Sequence, residues 1–198
     1  MLKRSIIIIL ALCAGALFFS KPAANAATAK YPAADTLKKK VKPQINFPTL
    51  PNNISRLFYV QRDPNTNTIV YELNTGSNGE LDTEAPLHVY WIKYNEKGQH
   101  EELSFIQRKF AYGLTQKALG DGKYDIRFVS YKKFPLTLMK AADGKYHIYA
   151  TIAQKQAILN RIFVKIEGGS FWLPNVVYVE LKGTDPATGQ EIVDRFKP

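Results

Sequence analysis

Two histidines sit in matching contexts, His88-Val89-Tyr90 and His147-Ile148-Tyr149. Side chains alternate between faces along a strand, so the His and Tyr of each triplet share one face. If the two strands are neighbours, the imidazoles meet and could bind a metal or shuttle protons. The alternative is two half-buried strand histidines, each satisfied by a local hydrogen bond. Helical His-x-x-x-His spacing is absent, so no metal is expected. His100 follows a turn and is expected to be solvated.

A second constellation is Gln107-Arg108-Lys109-Phe110-Ala111-Tyr112-Gly113. Read as a regular strand, it places Arg108, Phe110 and Tyr112 on one face and Lys109 with Ala111 on the other. A guanidinium beside two rings can pair with an acid group and stack a sugar. The competing reading buries Phe110 and Tyr112 and lays Arg108 over the rim of the core. The candidate binding residues are therefore His88, Tyr90, Arg108, Lys109, Tyr112, His147 and Tyr149; no catalytic residue and no cofactor is expected. An RNA-recognition strand would need a glycine where Lys109 stands, and it would need a βαββαβ frame. Gly168-Gly169-Ser170 lacks the second flanking glycine of a nucleophile elbow.

The elements that must position these residues are strands. From Ser55 onward, short apolar and aromatic segments alternate with turn residues. Strands are expected at Leu57–Gln61, Thr68–Leu73, Leu87–Tyr94, Leu103–Phe110, Tyr124–Tyr131, Tyr146–Ile152, Ile158–Ile166, Asn175–Leu181 and Glu191–Phe196. Leu136–Lys140, after Pro135, reads as a short edge strand. Only Ala153–Leu159 and Leu114–Leu119 read as helical turns. The cadence predicts an all-β domain, an antiparallel β-sandwich of about nine or ten strands, with a closed or partly open barrel as the alternative. No βαβ alternation appears, which argues against a parallel sheet with a nucleotide crevice.

The N-terminus reads as a secretory signal. Lys3 and Arg4 precede an apolar run from Ile6 to Phe19, shorter than the roughly 18–20 residues of a spanning helix. Ala24-Asn25-Ala26 is a small-x-small cleavage site. Residues 1–26 are thus expected to be a signal peptide, residues 27–53 a flexible Pro/Lys-rich linker, and residues 54–198 one β domain without a transmembrane helix. The expected location is the periplasm or outer envelope. Cys13, the one cysteine, lies in the apolar run behind Leu12. A lipoprotein anchored through Cys13 is the less favoured alternative.

The whole chain has 27 basic and 17 acidic residues, a charge of +10. Removing Lys3, Arg4 and Lys21 leaves 24 basic against 17 acidic, or +7. A basic surface outside the cytoplasm favours an anionic envelope component or a protein partner, not nucleic acid.

Leu57-Phe58-Tyr59-Val60-Gln61-Arg62, Val70-Tyr71-Glu72-Leu73-Asn74, His88-Val89-Tyr90-Trp91-Ile92 and Gln107 to Gly113 carry a resemblance. Together they resemble an uncharacterised family of exported bacterial proteins, domain-of-unknown-function family number 4833. The resemblance covers most of the chain after Ser55. It implies a secreted single-domain protein and assigns no activity or site residue. The function expected is non-enzymatic binding of a ligand or partner in the envelope. A hydrolase or other enzyme acting on envelope glycans or lipids is the alternative.

Overall fold

The computed structural model describes residues 46–169 and 174–198. Along them run β1 (Phe58–Arg62), β2 (Asn65–Leu73), β3 (Leu87–Lys93) and β4 (Gln99–Glu102), then a short helix α1 (Phe105–Phe110). There follow β5 (Leu114–Gly120), β6 (Lys123–Phe128), β7 (Pro135–Lys140), β8 (Tyr146–Ile152), β9 (Lys155–Gly169), β10 (Pro174–Thr184) and β11 (Glu191–Phe196). The all-β expectation holds. The signal peptide and most of the expected linker lie outside the described residues. Among the described residues, no helix is long and apolar enough to cross a membrane.

The strands form one curled, open sheet, a half-barrel in the order β4-β3-β2-β1-β9-β8-β7-β6-β5; β10 and β11 branch from β9. Among the described residues the pairing is antiparallel with one exception. β1 runs parallel to β9, Tyr59 opposite Arg161 through Arg62 opposite Val164. Parallel neighbours need a long connection, and here β2 to β8 supply it.

β9 holds the sheet together. Ile158 faces Tyr149 of β8 and Thr184 of β10, so those strands take opposite edges of β9. Phe163 likewise faces Gln61 of β1 and Glu180 of β10. β8 and β1 therefore use successive stretches of one edge. Between them β9 bulges: Leu159 pairs with Gly183 and Arg161 with Lys182, leaving Asn160 as the extra residue. A bulge shifts the side-chain alternation by one. Ala157 and Leu159 enter the core before it, Ile162 and Val164 after it.

The arms β1–β4 and β8–β5 enclose one core. Phe58 stacks on Tyr71 at 4.3 Å, and Phe128 of β6 meets both rings edge-on at 6.2 and 5.8 Å. The buried Tyr71 hydroxyl donates to the Tyr112 carbonyl at 2.9 Å.

Several expectations need correction. The segment through Gln107–Phe110 is helical, because Ser104 caps it. The Ser104 hydroxyl accepts from the Gln107 N–H, and the Gln107 side chain accepts from the Ser104 N–H, a reciprocal capping box. The chain leaving α1 passes so near its last turn that a Cβ on Gly113 would lie 1.8 Å from the Arg108 carbonyl oxygen. Leu114–Leu119 is strand β5. Ala153 and Gln154, at φ +48° and +65°, form the two-residue turn of the β8–β9 hairpin. β7 is internal, between β6 and β8. Pro135 is its first residue, a position where proline is tolerated.

The expected flexible linker is packed at its described end. Leu50 is 2% exposed and joins Val70, Tyr90 and Ile92 in a second apolar cluster. Phe47 meets Phe163 edge-on at 5.0 Å, and the Pro48 carbonyl accepts from Gln61 Nε2 at 3.1 Å. This strap crosses the outer face of β1–β3 and β9, opposite the main core.

Tyr112 is 1% exposed and packs edge-on against Trp91 at 5.0 Å. Tyr112→Ala should destabilise the protein by about 3–5 kcal/mol in urea unfolding. A loss below ~1 kcal/mol would contradict its place in the core.

Candidate functional site

Two groups of polar side chains flank the strap on the outer face. The first is built by register on β2, β3 and β4. Glu72 lies directly opposite His88, and Tyr90 opposite Glu102. Period-two alternation puts His88, Tyr90, His100 and Glu102 on this face. His88 Nδ1 is 2.9 Å from Glu72 Oε1, and His88 Nε2 is 2.9 Å from Glu102 Oε1. His100 Nε2 is 3.3 Å from that same Glu102 oxygen. Beneath them lies Tyr90, 6% exposed, with ring centroids 5.3 Å from His88 and 4.0 Å from His100. From α1, Arg108 Nη2 reaches the other Glu102 oxygen at 3.7 Å.

Partial burial opposes charge on His88, but the hydrogen bonds and charges of Glu72 and Glu102 outweigh it and raise its pKa above the usual histidine value. Burial, with Glu72 nearby, raises that of Tyr90.

The second group lines a cleft of about 920 Å³ beside Phe47. After the β9 bulge, Arg161, Phe163 and Lys165 point to the outer face, joined by Tyr178 and Glu180 of β10 and Arg195 of β11. The Arg161 guanidinium lies over Phe163 at 5.0 Å and that of Arg195 over Tyr178 at 4.9 Å. Both converge on Glu180, at 3.4 and 2.7 Å. Arg161 also donates to Gln61 at 2.9 Å, and Lys165 donates to Asp63. The bond to Asp63 raises the Lys165 pKa.

The candidate residues read from the sequence are thus divided. His88, Tyr90 and Arg108 come together. Lys109 is exposed over Phe105 and Phe110, each at 5.4 Å. Tyr112 is core, so the proposed basic-aromatic binding face at Arg108–Tyr112 does not form. His147 does not meet His88, because β2, β1 and β9 lie between their strands. It pairs instead with Asp143 at 2.9 Å and stands edge-on to Tyr149 at 6.5 Å. The His147 contact lowers the Asp143 pKa.

A model of the family described as "Domain of unknown function (DUF4833)" matches residues 58–195. The chain belongs to that family. No curated protein and no solved structure matches it. The matched span of this DUF4833 chain runs from β1 to β11 and contains both outer-face groups.

Glu72, His100, Glu102 and the whole cleft were missed in the sequence. Arg161-x-Phe163-x-Lys165 was visible as an alternating basic-aromatic run, but its partners come from β1, β10 and β11. His100 was visible as the residue after a turn, but its neighbours follow from the β3–β4 register.

The His88 pKa carries a stability prediction. Because it is raised in the folded state, the stabilisation is full below the unfolded value of about 6.5 and is lost as pH rises through the folded value. NMR titration should place the His88 midpoint above ~6.5, and Glu72→Gln with Glu102→Gln should lower it. A wild-type midpoint at or below ~6.5 would contradict the geometry.

Proposed function

We propose that the chain is an exported, non-enzymatic binding protein of a bacterial envelope, and that its outer-face cleft holds a ring-bearing ligand with an acid group, such as an acidic glycan. The carrying observation is the pair of guanidinium-on-ring stacks, Arg161 on Phe163 and Arg195 on Tyr178, converging on Glu180. Rings offer flat apolar faces to a sugar. Guanidiniums have five donors each, and Glu180 and Gln61 engage only some of them. The remainder are available to a carboxylate or phosphate. Glu180 fixes both cations in place, so the ligand meets a preorganised surface.

Export is supported by the ordered N-terminal features, Lys3 and Arg4, the apolar run and Ala24-Asn25-Ala26. The basic charge favours an anionic partner over distance. The facing of the two arms across Phe58, Tyr71 and Phe128 supports a sandwich-like use of the sheet, with its interior filled and the outer face left for the ligand. A hydrolase acting on envelope glycans or lipids would draw on the cleft carboxylates Asp63, Glu167 and Glu180. Asp63 and Glu180 already accept from Lys165, Arg161 and Arg195, an arrangement better suited to holding cations than to acid catalysis.

Calorimetric titration with an oligogalacturonate tests the cleft. Tyr178→Ala and Arg195→Ala should each weaken binding roughly tenfold, about 1.4 kcal/mol, with thermal stability little changed. The Arg195 contribution should shrink at high salt. Binding unaffected by both substitutions would remove the cleft from the account. Mass spectrometry of exported protein should give an N-terminus at Ala27; an intact Met1 or a lipidated Cys13 would contradict the export reading.

A further inference from the structure

We propose that His88, His100 and Glu102 form a site for a late first-row divalent cation of the zinc type. The three side chains offer ligand atoms that all lie within 4.8 Å of one another. Metal bonds of ~2.0–2.2 Å at a tetrahedral angle hold neighbouring ligand atoms roughly 3.3–3.5 Å apart. Glu102 Oε1 already stands 2.9 Å from His88 Nε2 and 3.3 Å from His100 Nε2, so small side-chain rotations open the cluster to that spacing. Two imidazoles with one carboxylate suit zinc, copper or nickel better than magnesium or calcium.

The surroundings resemble the outer shell of metal centres. A ligating histidine normally donates its other ring N–H to a carboxylate, which fixes the tautomer and the ring orientation. Glu72 is so placed, 2.9 Å from His88 Nδ1. Tyr90 supplies a rigid, buried floor under both rings. Arg108 approaches Glu102 Oε2 and leaves Oε1 to the imidazoles. The cluster is open to solvent, with His100 and Glu102 each 55% exposed, so a fourth position is accessible to water or to a donor from a partner.

Binding exchanges a proton for the metal. Without metal, His88 faces a carboxylate at each ring nitrogen, Glu72 at Nδ1 and Glu102 at Nε2, each at 2.9 Å. With metal, Nε2 gives up its proton to solvent and uses its lone pair as the ligand, while Nδ1–H stays on Glu72. The charged or titratable groups facing this exchange are Glu72 from β2, Tyr90 from β3, His100 and Glu102 from β4, and Arg108 from α1. Affinity should therefore rise with pH. No metal was expected from sequence spacing, because the two histidines come from paired strands rather than from one helix.

The test is titration of the tag-free chain with zinc chloride, followed by calorimetry and by elemental analysis after dialysis. One equivalent should bind, and more weakly at pH 5.5 than at pH 7.5. Glu72→Gln, which keeps all three ligands, should weaken binding about 10–100-fold. His100→Ala should weaken it at least as much, and His147→Ala should leave it unchanged. His100 is exposed, so His100→Ala retains the fold, which far-UV circular dichroism checks. Absence of stoichiometric uptake, or uptake equal in wild type and His100→Ala, would overturn the site.

Discussion

The extra residue at Asn160 is the constraint on which the structure turns. A regular β9 would keep one phase along its length and could not place both Leu159 and Ile162 in the core. The bulge shifts the phase, and one edge of β9 then serves β8 before it and β1 after it. Asn160 Nδ2 donates to Thr184 Oγ1 at 2.7 Å, tying the bulged backbone to β10. Gly183 lies beside it. A Cβ there would lie 2.6 Å from the Ile158 carbonyl oxygen and 2.6 Å from Ile152 Cδ1. The close approach of β8, β9 and β10 at this point depends on a residue without a side chain.

The outer face inherits its chemistry from that shift. Arg161, Phe163 and Lys165 face outward because the alternation has slipped by one. β1, delivered in parallel, brings Gln61 and Asp63 against them. The strap then divides the face: Phe47 borders the cleft and Leu50 caps the cluster that includes Tyr90. Tyr90 is thus shared between an apolar patch and the histidine group. Its ring packs with Leu50, Val70 and Ile92 and also contacts the His88 and His100 rings.

Local patterns were legible in the sequence. Most strands fall within a few residues of their expected spans, because β-branched and aromatic runs bounded by turn residues report a local preference. The shared face of His88 and Tyr90 was legible for the same reason. Long-range pairing was not. Nothing local to Tyr59 shows that it lies beside Arg161, and nothing local to His88 shows Glu72 across a loop. At Ser104-Phe105-Ile106-Gln107 the capping signal competed with an alternation of basic and aromatic residues, and the cap prevailed. Ala153-Gln154 shows the reverse case: a two-residue turn with positive φ, filled by residues that ordinarily favour helix.

The claim that the β9 bulge and its close contact with β10 support both arms is tested most directly by Gly183→Ala in equilibrium urea unfolding. The added methyl meets a backbone carbonyl that no side-chain rotation can clear, so a loss of roughly 1–3 kcal/mol or more is expected, with an unchanged m-value. Stability within about 0.5 kcal/mol of wild type, the range of an ordinary surface substitution, would contradict it.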